Sequence, residues 1–180
     1  MFSKDLKQLL DEKYLEYNKS EFFIETDPIQ IPKCFEKKED IEIAGFLAAS
    51  LAWGQRPTII KECKELMQLM DYAPHDFVMQ AEDQDYERFC NFKHRTFNSY
   101  DCVYFLKSLA NIYRHHGGLE TVFTRAYQKH QDMFEVLKEW YSVFTSLPAE
   151  ARVLRHIANV EKGSAAKRVN MFLRWMIRRD

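Results

Sequence analysis

Glu39-Asp40-Ile41-Glu42-Ile43-Ala44-Gly45-Phe46-Leu47-Ala48-Ala49-Ser50-Leu51-Ala52-Trp53-Gly54-Gln55-Arg56-Pro57 decides how this chain folds. From Ile41 to Trp53 the stretch is apolar nearly all round a helical period and rich in Ala. It therefore predicts a helix buried on every side, whose small residues let neighbouring helices approach closely. Gly54 stands where a C′ residue belongs, and Pro57 is placed to open the next helix after a very short turn. Such a helix needs other helices to surround it.

Those helices are legible outward from it. Upstream, Leu6, Leu9, Leu10, Tyr14 and Tyr17 recur at helical spacing over Ser3–Asn18, with Ser3 as N-cap, and Pro28 and Pro32 then impose an ordered loop. Downstream, the patterns predict helices over about 57–71, Pro74–Met79 and Tyr86–Cys90. A longer helix follows, capped by Asn98 or Ser99 and ended by Gly117-Gly118. Three more are predicted over about 119–129, 132–146 and 148–158. The last helix follows Lys162-Gly163-Ser164 and carries Val169, Met171, Phe172, Trp175 and Met176. No convincing strand pattern and no fixed-period repeat is present. The expectation is one all-α domain over 1–180, an orthogonal helical bundle. Its final amphipathic helix has no C-cap, which predicts that the fold continues past Asp180, in a longer chain or on a partner.

Composition agrees. The 180 residues are 46% hydrophobic and 29% charged, with 5 Gly and 5 Pro, which excludes disordered and collagen-like classes and disfavours a turn-rich all-β fold. No apolar run reaches the roughly 20 residues that cross a bilayer, and no secretory leader opens the chain, so a cytoplasmic protein without membrane contact is expected. Cys34, Cys63, Cys90 and Cys102 form no Cys-x-x-Cys pair and read as reduced, mostly buried thiols. The six histidines share no ligand spacing, and no phosphate loop or dinucleotide fingerprint is present. Neither a metal nor another cofactor is expected.

The charge is unevenly placed. Residues 152–180 hold eight basic side chains against Glu161 and Asp180, so the rest of a chain of net charge −1 carries about −7. A basic end on an acidic body suits an anionic partner, DNA above all, or is simply a solvated helix face.

Three constellations could carry chemistry. Gln55 and Arg56 sit on a short helix–helix turn from which they could probe a base edge or meet a phosphate; they could equally cap helix ends. Lys93, His94 and Arg95 lie among Phe92, Phe97 and Tyr100, an alternation that suits a nucleic-acid surface or an aromatic core with a charged rim. Lys167 follows Gly163-Ser164-Ala165-Ala166 at a helix start, where small residues leave backbone N–H groups open to an anion and the dipole eases the amine's use as a nucleophile. The bland alternative is a surface lysine. Gly163, Ser164 and Arg168 beside it are candidate DNA contacts.

Taken in order, the Gln55 turn, Phe92-Lys93-His94-Arg95 before a helix ending in Gly117-Gly118-Leu119, and Gly163-Ser164-Ala165-Ala166-Lys167 resemble an uncharacterised bacterial family of hypothetical proteins over nearly the whole chain. That family is in turn remotely similar to the helix-hairpin-helix DNA glycosylases, including the 8-oxoguanine and endonuclease-III-like branches. The resemblance implies that Gln55 enters the duplex, that Phe92 to Phe97 lies near the gap left by an extruded base, and that Lys167 attacks the sugar. Base excision through a Schiff base, with β-elimination, is the implied reaction. Two departures stand beside it. Gly163 is followed by Ser164 and Ala165 where the glycosylase hairpin carries a second glycine, and the superfamily's essential aspartate falls beyond the last residue here. The alternative expectation is a noncatalytic helical module that binds DNA or a protein through its basic end.

Overall fold

The computed structural model describes residues 4–17 and 25–177. The expected Ser3 cap, the helix end at Asn18, and Arg178, Arg179 and Asp180 lie outside the described residues. The first helix, α1, spans Lys4–Tyr17 and presents Leu9, Leu10 and Leu15 to solvent. Two 3₁₀ turns, Pro28–Gln30 and Pro32–Cys34, follow, with Asp27 capping the first through Ile29 N and with Ile29 and Ile31 buried. The two prolines set φ for these turns, as the sequence implies.

The central helix α2 runs Lys38–Leu51 and is buried from Glu42 to Leu51. Phe46 on it is the hub of the aromatic core. Its ring lies 6.1 Å from Phe105, 5.8 Å from Trp140, 5.2 Å from Phe144 and 5.7 Å from Phe172. Those partners come from α5 (Ser99–His115), α7 (Met133–Phe144) and α8 (Lys167–Ile177), so one side chain ties four helices together. Gly45, one residue earlier, admits α8: a Cβ built there would lie 2.7 Å from Met176 Cε and 3.6 Å from a Phe172 ring atom.

The remaining helices are α3 (Arg56–Leu69), α4 (Pro74–Gln80) and α6 (Leu119–His130). α3 turns Ile59, Cys63, Leu66 and Met67 inward. α5 begins with a reciprocal cap, in which Asn98 Oδ1 accepts from Asp101 N while Asp101 Oδ2 accepts from Asn98 N. The described residues form an all-α helical bundle, and none of their helices is long and apolar enough to cross a membrane.

Several expectations need correction. α2 stops at Leu51, and Gly54 lies beyond its end in an open turn with φ of 119°. The short helix expected over Tyr86–Cys90 is a 3₁₀ helix that spans Asp83–Phe89. No α-helix covers 148–158; that stretch is turns with one 3₁₀ segment, Val153–His156, because the Arg152 guanidinium, donating to Asp101 and to Thr96 O, anchors it to a distant part of the chain and overrides local propensity. A two-stranded antiparallel ladder exists, β1 (Lys93–His94) with β2 (Phe97–Asn98), too short to leave a periodic signal. The thiols are also split. Cys63 and Cys102 are buried, whereas Cys34 and Cys90 are exposed.

Candidate active site

Trp53 is the point where the separate sequence signals meet. It leaves α2 half-buried, its ring 5.0 Å from His94 and 6.5 Å from Phe97 of the hairpin, 5.9 Å from His156 in a near-parallel stack, and 4.8 Å beneath the Arg168 guanidinium of α8. The Gln55 turn, the 93–98 hairpin and the start of α8 are thereby brought to one place.

Each expected site residue can now be located. Gln55 is exposed and forms the N-cap of α3 without a side-chain capping bond. Arg56 is exposed and faces Asp27 at 3.6 Å. Lys93 is exposed on β1. Arg95 turns the hairpin with φ of 55° and lays its guanidinium beside the Gly54 backbone, where a Cβ on Gly54 would come within 3.1 Å of Nη1. Gly54 therefore has two reasons to be glycine, its left-handed φ and this approach.

His94 departs from the expected surface role. It is 2% exposed, and its Nε2 lies 3.1 Å from the Trp53 carbonyl oxygen. A carbonyl only accepts, so Nε2 carries the hydrogen and the ring holds the turn onto the hairpin from inside. Arg168 is likewise committed to the fold. Its Nη1 donates to Ser50 O at 2.7 Å and Nη2 to His156 O at 3.1 Å, satisfying a carbonyl at the C-terminal end of α2. Burial holds its pKa below the ordinary arginine value.

Lys167 is exposed at the first residue of α8, and no hydrogen bond or ion pair engages its amine among the described residues. The approach to it is a built turn. Asn159 Oδ1 accepts from Glu161 N and Lys162 N, Gly163 has φ of 81°, and Ala166 N donates to Ser164 Oγ at 3.2 Å. A Cβ on Gly163 would meet nothing within 4 Å, so the glycine serves its φ and leaves the backbone open to approach from outside. The cavity beside it, about 620 Å³, is lined by Tyr141, Arg155, Lys162, Ser164, Lys167 and Arg168 among others.

A second cavity of about 570 Å³ adjoins it and shares Arg155 and Arg168; its other walls are Trp53, Thr96, Arg152 and His156. Behind these lies Asp101, fully buried. Both its oxygens accept from Arg152 Nη1 at 3.0 Å, and His156 Nε2 stands 3.5 Å from Oδ2. Arg152 also donates to Asn98 Oδ1 at 2.9 Å and Thr96 O at 3.1 Å. The His156 pKa is pushed down, first by burial, with Arg168 and Arg152 adding to the effect and Asp101 opposing it.

Asp101, Arg152, Arg155 and His156 were not singled out as site residues from sequence. Asn98-x-x-Asp101 is a readable capping signature, but nothing local says that its acid also anchors an arginine 51 residues away. Among the described residues no group of three or more His, Cys, Asp or Glu side chains could hold a metal ion.

A family model described as "Protein of unknown function (DUF2400)" matches residues 27–180. No curated protein and no solved structure matches the chain.

Proposed function

We propose a function for a chain that belongs to the DUF2400 family, whose description names none: it binds DNA and acts on it as a base-excision or abasic-site lyase, with Lys167 as nucleophile. The observation that carries this reading is the exposed Lys167 amine, unpaired among the described residues, beside a cavity that shares Arg155 and Arg168 with a cationic neighbour. A lysine engaged in an ion pair would be stabilised as a cation and be a poorer nucleophile. Here the amine has no such partner among the described residues.

On an abasic site the chemistry balances without a cofactor. The Lys167 amine adds to the C1′ aldehyde and water leaves, giving an imine. Loss of a C2′ proton then expels the C3′ oxygen with its phosphate, which stays on the 5′ end of the downstream strand. On an intact lesion nucleoside the same amine displaces the base from C1′, which requires the nucleotide to be extruded first. Gln55, Arg56, Lys93 and Arg95 are exposed on the adjoining turn and hairpin and are the groups we assign to the duplex, the arginines and lysine on phosphates. Gly163 and Ser164 offer the backbone of the turn before Lys167.

The test is strand cleavage of a duplex carrying one abasic site, run beside a binding measurement. The reading expects wild-type protein to nick the strand, and Lys167→Gln to lose nicking while affinity falls only modestly. If wild type binds in a salt-sensitive manner and never nicks, the basic end belongs to a noncatalytic binding module and the enzymatic reading fails.

A further inference from the structure

The cavity walled by Trp53, Thr96, Arg152, Arg155, His156 and Arg168 contains three guanidinium groups and no acidic lining residue. The carboxylate nearest in the network, Asp101, is wholly buried behind Arg152 and is spent on it. Arg152 is thus fixed before any ligand arrives, by Asp101, Asn98 and Thr96. Arg168 is fixed by two backbone carbonyls and the Trp53 ring, with no carboxylate partner among the described residues. A half-buried cation that lacks a counter-ion is costly to the fold, and an incoming anion offsets that cost. Arg155 is exposed, its guanidinium has no hydrogen bond or ion pair among the described residues, and it stands on the boundary with the Lys167 cavity. Counting Asp101 against the three arginines, the pocket carries about two uncompensated positive charges.

Guanidinium forks match phosphate geometry, and each presents five N–H donors, of which Arg152 and Arg168 have used only part. Two positive charges match the dianion of a phosphate monoester better than the single charge of a phosphodiester. The volume of about 570 Å³ falls within the range of small-molecule sites and exceeds what a bare phosphate fills. The Trp53 ring is already engaged by His156 and Arg168, so recognition rests on the phosphate and not on stacking of a base.

We propose that this cavity is a binding site for a terminal phosphate monoester of a nucleotide or of a DNA strand, with Arg155 as the arm that closes on it. The choice of a DNA end rests on the Lys167 reading, because β-elimination leaves a 5′-phosphate next to the lysine; the anion site itself does not depend on that reading.

The test is equilibrium binding at low salt by the full chain. The probes are a nicked duplex with 5′-phosphate or 5′-hydroxyl at the nick, a deoxynucleoside 5′-monophosphate, and the matching nucleoside. The expected result is at least tenfold tighter binding of the 5′-phosphate duplex, measurable binding of the monophosphate, and none of the nucleoside. Arg155→Gln abolishes the preference and Arg155→Lys restores part of it. The Arg155 side chain makes no hydrogen bond or ion pair among the described residues, and circular dichroism verifies that both variants fold. Lys167→Gln keeps the preference, so loss of nicking and loss of phosphate recognition are separable. Monophosphate binding without any duplex preference would assign the site to free nucleotides and overturn the DNA source. Equal binding of the nucleoside, or an unchanged preference in Arg155→Gln, would overturn the site.

Discussion

The Arg168 guanidinium lies 4.8 Å over the Trp53 ring while donating to Ser50 O at 2.7 Å, so the residue after Lys167 is bolted to the end of the central helix. This contact fixes where the lysine stands relative to the Gln55 turn. Arg168→Lys keeps the charge but loses the fork and the stacking plane. The expected cost is about 2 kcal/mol, the range for hydrogen bonds to a charged group. In a domain of this size that lowers the melting temperature by about 4–8 °C. A melting temperature within a degree of wild type would show that the clamp is dispensable.

Asp101 is the buried anchor of the second cavity, and its removal strands Arg152. Asp101→Ala is expected to destabilise by about 3 kcal/mol, the low end for a broken buried pair because Arg152 is partly exposed. Denaturant unfolding measures it, and a loss under 1 kcal/mol would contradict the assignment of Asp101 as the anchor.

The pH dependence of His156 follows from its surroundings. Burial, Arg168 and Arg152 hold its pKa below the ordinary imidazole value, and among the described residues Asp101 alone pulls it up. Its imidazole C–H resonance should therefore titrate below an ordinary histidine, and Asp101→Asn should move it further down. Since the unfolded chain takes up the proton first as pH falls, this histidine removes stability on acidification through the ordinary imidazole range and below. Titration at or above the ordinary value would contradict the described environment.

Thiol reactivity separates the cysteines. Burial pushes Cys63 up to about 12 and raises Cys102 as well, with Glu62 and Asp101 adding in turn. The thiolate is the reactive form, so an alkylating reagent on the folded protein should modify Cys34 and Cys90 and leave Cys63 and Cys102 until unfolding. Rapid native modification of Cys102 would show that the α5 core opens far more readily than its packing implies.

How much of this could be read without coordinates depends on the range of the interactions. The buried helix, the Pro57 start, the Asn98 cap and the Lys167 helix are local signals, and each stands within a few residues of its expected place. The pocket built on Asp101 was hidden because 148–158 reads as a helix that would put Arg152, Arg155 and His156, at i, i+3 and i+4, on one face, with no local sign of what that face meets. Contacts of Arg152 to Asn98 and Asp101 across more than 50 residues supply that partner. His94 misleads for a related reason. In an aromatic and basic stretch its type suits a surface, yet the two-residue ladder places it inward opposite Phe97.

The central claim is that the Lys167 amine attacks a deoxyribose carbon, and borohydride trapping tests it most directly. The protein is mixed with a duplex carrying one abasic site, the imine is reduced to a permanent cross-link, and the linked residue is mapped by peptide mass. The account predicts a cross-link on Lys167 that is absent from Lys167→Gln and weakens as salt rises. No cross-link at low salt, or one of undiminished yield in Lys167→Gln, would contradict it.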